Sequence, residues 1–118
     1  LIESFLQSIF LIRDLINTPA EDMGPQQFAD VAIKIAEPFK AEIRQIVGEE
    51  LLAENYPTIY TVGRASTEAP RLLDLQWGDQ THPKITIVGK GVCFDSGGLD
   101  LKSADGMLLM KKDMGGAA

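Results

Sequence analysis

The feature that most constrains the fold is a short apolar run, Ile85 to Val88, followed at once by a glycine-rich stretch. A run of β-branched residues such as this one is typical of a strand that is buried on both faces of a parallel sheet. Five glycines between Gly89 and Gly106 allow sharp turns and close approach of the backbone. Because ligands of open α/β sheets bind beyond the carboxyl ends of the strands, we expect a ligand site after Val88. The alternative is a surface loop with solvated charges.

The residues after Val88 include four charged side chains that could form such a site: Lys90, Asp95, Lys102 and Asp113. The two aspartates offer hard oxygen donors that suit divalent cations. Lys90 could be a third donor only with a neutral amine, which requires a pKa far below the usual value of about 10.4. A salt bridge between Lys90 and Asp95 is the simpler alternative. The residue types alone therefore leave both a cation site and an ordinary ion pair open.

Composition limits the function classes. The chain has 118 residues and 45% hydrophobic content, which is enough for one domain, and it has no apolar run long enough to span a membrane. Its net charge is −6, so the electrostatic attraction that drives binding to nucleic acid or to an anionic membrane has the wrong sign. The single cysteine excludes an internal disulfide, and no secretory signal pattern opens the chain. We expect a cytoplasmic protein.

Apolar periodicity and turn residues predict alternating helices and strands. Helices are predicted at Leu1–Ile16, from Pro25 to Pro38, at Glu49–Glu54 and, because of Pro57, at Asn55–Ser66; strands are predicted at Glu42–Val47, Arg71–Trp77 and Ile85–Val88. This order predicts the α/β class, with helices packed on a mixed, largely parallel sheet. The chain starts without methionine and stops in Gly-Gly-Ala-Ala after Met114, which looks like the start of a helix. We expect a piece of a longer protein.

Three motifs in order resemble the leucyl (cytosol) aminopeptidase family of dinuclear metallopeptidases. The first is Arg13-Asp-Leu-Ile-Asn-Thr-Pro19 with Met23-Gly-Pro25. The second is Val88-Gly-Lys-Gly-Val-Cys-Phe-Asp-Ser-Gly-Gly98 with Leu-Asp-Leu-Lys102, and the third is Met110-Lys-Lys-Asp-Met-Gly-Gly-Ala-Ala118. The resemblance covers essentially the whole chain. It implies that residues 1–118 form the first part of a catalytic domain with a three-layer sandwich like that of zinc peptidases, here incomplete.

The resemblance also implies roles for individual residues. Lys90, Asp95 and Asp113 match metal ligands, with Asp95 bridging two Zn²⁺ or Mn²⁺ ions and the other two binding one of them. Lys102 matches a catalytic lysine that polarises the substrate carbonyl and stabilises the gem-diolate. Met110 matches a residue of the pocket for the first side chain of the substrate. The implied reaction releases N-terminal amino acids, with leucine-type preference, from peptides that have a free N-terminus.

Part of the family's site is absent from this sequence. The later Asn-Thr-Asp-Ala-Glu-Gly-Arg motif of the family supplies further metal ligands and an arginine that holds a bicarbonate, and it does not occur here. With only three candidate ligands, we expect the 118 residues alone to be inactive. In the complete enzyme the resemblance implies a hexamer. The alternative is a non-catalytic role in assembly or in DNA binding, as in some relatives, although the acidic balance argues against DNA.

Three further residues carry chemistry that we assign to structure. Cys93 is a possible zinc ligand as a thiolate, but a small buried apolar residue is the more common role of a free thiol. Asp100 and Asp105 are interpreted as solvated loop charges. His82 precedes Pro83 in a predicted turn and is expected at the surface. Because it is the only histidine, a histidine-based zinc site or catalytic triad is not expected within these residues.

Overall fold

A computed structural model of the chain describes all residues from 1 to 118 and alternates helices with two strands. The five α-helices are α1 (Ile2–Asn17), α2 (Pro25–Ala36), α3 (Glu50–Ala53), α4 (Pro57–Gly63) and α5 (Ala104–Met107). Two 3₁₀ helices lie at Glu37–Phe39 and Met110–Met114. The strands are β1 (Glu42–Val47) and β2 (Arg71–Gln76). None of the helices combines the length and the apolar character that crossing a membrane requires.

Proline positions account for several helix ends. α1 ends where Thr18 takes an extended backbone with ψ 130°, as expected for a residue before proline. α2 and α4 each begin at a proline, whose fixed φ suits the first helical position and whose missing N–H is not needed there. The prediction that Pro57 starts a helix rather than a strand segment is therefore confirmed.

The two strands form an antiparallel pair. Glu42 pairs with Gln76 at one end and Val47 with Arg71 at the other. Just past that second end, the Gly48 N–H donates a 2.9 Å hydrogen bond to the Pro70 carbonyl. The chain thus re-enters the sheet at the end where it left, which gives antiparallel pairing. The predicted α/β class is confirmed, but the pairing within these residues is antiparallel rather than largely parallel.

The predicted strand at Ile85–Val88 does not form in this chain. Ile85, Ile87 and Val88 are between 86% and 91% exposed and belong to no sheet. A strand needs neighbours that pair its N–H and C=O groups, and no third strand lies within the 118 residues. The prediction that this segment is a buried strand is therefore wrong for these 118 residues, although the segment is apolar.

The chain divides into two compact units. One comprises residues 25–85 and holds α2, β1, α3, α4 and β2, with four buried core residues: Ala29, Ala36, Ile46 and Leu51. The other comprises residues 1–24 and 86–118, and its buried apolar side chains are those of Leu15 in α1 and Met114. All the candidate site residues lie in this second unit, which we call the site unit.

Candidate metal centre and active site

The 3₁₀ helix Met110–Met114 supports the site by packing against the end of α1. Met114 is fully buried, and the Ile16 side chain lies so close to Gly115 that an added Cβ there would approach its Cδ1 to 2.8 Å. Lys111 Nζ donates a 2.9 Å hydrogen bond to the Asn17 carbonyl, which is one of the last acceptors of α1 and otherwise has no helical partner. These contacts fix the backbone from which Asp113 projects.

Lys90 and Asp113 meet across 23 residues of sequence. Lys90 Nζ lies 2.9 Å from Asp113 Oδ1 and 2.8 Å from Oδ2, so the ammonium engages both carboxylate oxygens. The pair is open to solvent on the lysine side, since 64% of the Lys90 side chain is exposed. Exposed ion pairs contribute little to stability, about 0 to 1 kcal/mol. Folding stability therefore does not by itself account for this arrangement.

Asp95 forms the second ion pair, with Lys102. Lys102 Nζ donates to Asp95 Oδ2 at 2.7 Å and to the Asp95 carbonyl at 3.3 Å. The Gly97 N–H donates to Asp95 Oδ1 at 2.8 Å, so both oxygens of this carboxylate accept hydrogen bonds. The hydrogen bond from Lys102 is the main cause that holds the pKa of Asp95 below its ordinary value, followed by the hydrogen bond from Gly97.

The two ion pairs are electrostatically linked through Lys90. Its charge also lowers the pKa of Asp95, although it is the smallest of the contributions and no direct salt bridge joins the two residues. The pairing between Lys90 and Asp95 that the sequence left open is therefore wrong. Asp113, 23 residues away in sequence, is the carboxylate that the fold brings to Lys90.

The donors suit a divalent ion in kind but not in number. Asp95 and Asp113 supply carboxylate oxygens, and Lys90 supplies a nitrogen that can bind a metal once it has lost its proton. No three acidic, histidine or cysteine side chains converge in this chain to form a metal site. Zinc usually takes about four ligands and harder cations about six or more. A complete coordination shell would therefore need donors from outside these 118 residues.

The other residues named from the sequence are half-buried or exposed. Met110 is the first residue of the 3₁₀ helix and is half-buried, with Lys111 after it. Cys93 is also half-buried, with its Sγ 3.8 Å from the Gly91 carbonyl oxygen. Asp100 is exposed, as expected for a solvated charge. His82 is also exposed, as predicted, and lies in a turn in which its N–H donates a hydrogen bond to the Asp79 carbonyl.

Sequence reasoning missed the residues that hold the charged side chains in place. Gly97, with φ 94°, turns the chain so that its N–H reaches the Asp95 carboxylate. The Asp95-Ser-Gly97 sequence is the signal that could have identified it, because an aspartate commonly accepts a hydrogen bond from the backbone two residues on. Gly116 was also missed, and it lies against the backbone of Lys90.

Comparison with known proteins identifies relatives of this arrangement. Residues 10–118 match the cytosol aminopeptidase family, catalytic domain. Peptidase B of Yersinia pseudotuberculosis is 46% identical over 99% of this chain. The crystal structure of the cytosol aminopeptidase from Coxiella burnetii is 58% identical over 98% of the chain with a TM-score of 0.94. The bottromycin maturation enzyme BotP, solved in complex with Mn, is 40% identical over 91% of the chain with a TM-score of 0.77.

The matched region covers most of this chain but only a small part of each relative. The chain spans 29% of the length of Peptidase B, 25% of the Coxiella burnetii enzyme and 23% of BotP. Apart from residues 2–9 of α1, all the helices, both strands and the two ion pairs of the site unit fall within the matched region. The chain therefore belongs to the cytosol aminopeptidase family, and it corresponds to part of the catalytic domain of that family.

Proposed function

We propose that this chain supplies part of the active site of a metal-dependent aminopeptidase. By the full-length protein we mean that aminopeptidase, with a length similar to that of its relatives. The observation that carries the proposal is the contact between Lys90 and Asp113. A basic and an acidic side chain from distant segments meet at the surface, in a unit that also holds a second ion pair, and the chain matches the catalytic domain of an aminopeptidase family. BotP, which aligns with this chain, binds Mn, and this supports a divalent ion at the site.

The residues divide into two roles. Lys90, Asp95 and Asp113 would hold one or two divalent ions, Zn²⁺ or Mn²⁺, with the missing ligands supplied by the rest of the catalytic domain. Such ions, when bound, polarise a carbonyl and lower the pKa of a coordinated water molecule, which makes that water a nucleophile near neutral pH. The Asp95 carboxylate is already oriented before an ion binds, because Lys102 Nζ and the Gly97 N–H each donate a hydrogen bond to one of its two oxygens.

Lys102 would act on the substrate. Its Nζ lies 2.7 Å from Asp95 Oδ2, so its ammonium group is held beside the proposed metal ligands. A fixed positive charge at this position stabilises negative charge that develops on the carbonyl oxygen of the scissile peptide bond. Met110 would line the apolar pocket that receives the N-terminal side chain of a leucine-type substrate. The products are a free amino acid and a peptide shortened by one residue.

The resemblance to the family extends the proposal to the whole protein. We infer a hexamer in the cytoplasm and a bicarbonate ion that assists proton transfer in the complete enzyme. We also infer that residues 1–118 alone are inactive, since they would give one ion three ligands and the other only one. Light scattering on the full-length protein tests the hexamer, and leucine-amide hydrolysis by the 118-residue chain tests its inactivity.

The decisive test of the proposed function is hydrolysis of leucine amide by the full-length protein with added Mn²⁺ or Zn²⁺. We expect Lys90→Ala and Asp113→Ala each to lower kcat at least 100-fold, because each removes a proposed ligand. Lys112→Ala is the control for Lys90→Ala, and Asp100→Ala is the control for Asp113→Ala. Each removes an exposed charge of the same sign as its counterpart, and its kcat should stay within threefold of the wild type. Equal rates in all four variants would contradict the site assignment, and no hydrolysis by the wild type would contradict the proposed reaction.

A further inference from the structure

The contact between Lys90 and Asp113 depends on two segments whose backbones approach closely. A Cβ added at Gly89 would lie 2.5 Å from the Gly116 carbonyl oxygen and 2.6 Å from Ala117 Cα. A Cβ added at Gly116 would lie 3.3 Å and 3.4 Å from the carbonyl oxygen and the nitrogen of Lys90. Both contacts are with backbone atoms, which cannot rotate away as a flexible side chain can. Because Gly89 and Gly116 have no side chains, the segments that contain them can lie this close together.

Neither glycine is required by its φ angle. The glycines with positive φ are Gly48, Gly78, Gly97 and Gly98, so Gly89 and Gly116 have backbones that other residues can adopt. Turn formation, which accounts for glycines elsewhere in the chain, does not account for these two. Close approach is the remaining physical reason, and at both positions the neighbouring segment carries a residue of the site.

We propose that Gly89 is a positioning residue that sets the geometry of the metal ligands Lys90 and Asp113. The inference rests on the proposed function, because it concerns the same ligands. An ordinary contact of 3.4 Å at Gly89 would require the segments to separate by about 0.9 Å. At Gly116 the required shift is only about 0.1 Å. Productive sites tolerate errors of roughly 0.5 Å, so the first shift exceeds the tolerance and the second does not.

The structure offers two matched controls for adding a methyl group. A Cβ at Gly63 would lie 2.4 Å from Pro70 Cβ, a clash as severe as that at Gly89 but in the other unit. A Cβ at Gly106 would lie no closer than 3.4 Å to any neighbour, although Gly106 is close to Lys102. Gly63→Ala thus reports the effect of lost stability alone, and Gly106→Ala reports the effect of a methyl group placed near the site without a clash.

The test is the dissociation constant for Mn²⁺ of the full-length protein, measured by titration calorimetry with the melting temperature recorded for each variant. We expect Gly89→Ala to weaken Mn²⁺ binding 10- to 100-fold, as loss of supporting contacts around metal ligands commonly does. Gly116→Ala should bind Mn²⁺ within twofold of the wild type, because the shift that it requires is within the tolerance. Gly63→Ala should lower the melting temperature but bind Mn²⁺ within twofold of the wild type, and Gly106→Ala should change neither quantity.

The outcomes separate this inference from the function on which it rests. If the wild type binds no Mn²⁺, the proposed function is contradicted and the positioning role falls with it. If the wild type binds Mn²⁺ and Gly89→Ala binds it equally well, only the positioning role is contradicted, because the flexible Lys90 side chain then absorbs the shift. Equal weakening by Gly63→Ala would also contradict it. If Gly89→Ala does not fold, Gly116→Val takes its place, because a larger side chain there meets the Lys90 backbone and separates the same two segments. Weaker Mn²⁺ binding by Gly116→Val at an unchanged melting temperature supports the role, and unchanged binding overturns it.

Discussion

Met114 is the residue whose truncation should most clearly show what holds the site in place. It follows Asp113 directly, has no exposed surface and lies in the 3₁₀ helix that packs against α1. Replacement by alanine removes three heavy atoms from one of the two buried apolar side chains of the site unit. We therefore expect Met114→Ala to destabilise this unit and to loosen the backbone of Asp113.

The expected magnitude follows from the burial. Burying a methionine side chain completely contributes about 1.5 to 3 kcal/mol, and the cavity left by truncation raises the total cost to about 2 to 5 kcal/mol. Because Met114 is 0% exposed, the full transfer contribution applies, and we expect about 3 kcal/mol. The unfolded fraction should then rise roughly 100-fold, since each 1.4 kcal/mol corresponds to a factor of ten.

Urea unfolding of the 118-residue chain, followed by far-ultraviolet circular dichroism, measures this cost. Leu108→Ala is the matched control, because that leucine is 73% exposed and its truncation should cost less than about 0.5 kcal/mol. Met114→Leu keeps the volume and should cost less than about 1.5 kcal/mol. Equal costs for Met114→Ala and Leu108→Ala would refute the reasoning, since they would show that the 3₁₀ helix is not packed as the structure has it.

Two further predictions concern ion pairs. Lys102→Ala should raise the pKa of Asp95 toward its ordinary value, since the Lys102 hydrogen bond is the main cause of the lowered value, whereas Lys90→Ala should raise that pKa less. A carboxyl NMR titration of the metal-free chain measures both changes, and equal rises would contradict the assigned causes. The exposed pair of Arg44 with Glu54, 2.8 Å apart, should show a coupling energy below about 1 kcal/mol in a double-mutant cycle, falling further with added salt. A coupling of several kcal/mol, unaffected by salt, would contradict the view that solvent screens this pair.

Much of the secondary structure follows from local sequence. The apolar spacing of α1 and α2, and the prolines at positions 25 and 57, act within a few residues, so the sequence alone predicted those helices. The strand predicted at Ile85–Val88 depends on partners distant in sequence, and these 118 residues do not contain them. A local pattern can indicate that a segment is suited to burial, but the burial itself requires the neighbouring layers.

The candidate site shows the same division. Residue types identified Lys90, Asp95, Lys102 and Asp113, but the only ion pair that they suggested for Lys90, as an alternative to a cation site, was with Asp95, five residues away. The fold pairs Lys90 with Asp113, and the backbones at Gly89 and Gly116 approach closely beside them, which no spacing rule reveals. Similarly, the sequence could not show that Lys102 and the Gly97 N–H take the two oxygens of Asp95.

The most direct test of the central claim is a crystal structure of the full-length protein with zinc, in which anomalous scattering locates the ions. The account predicts zinc within about 2.0 to 2.2 Å of an Asp113 oxygen, an Asp95 oxygen and Lys90 Nζ, with the ion pair between Lys90 and Asp113 replaced by metal contacts. Zinc bound elsewhere, with Lys90 Nζ still paired to Asp113, would contradict the claim that these residues are metal ligands.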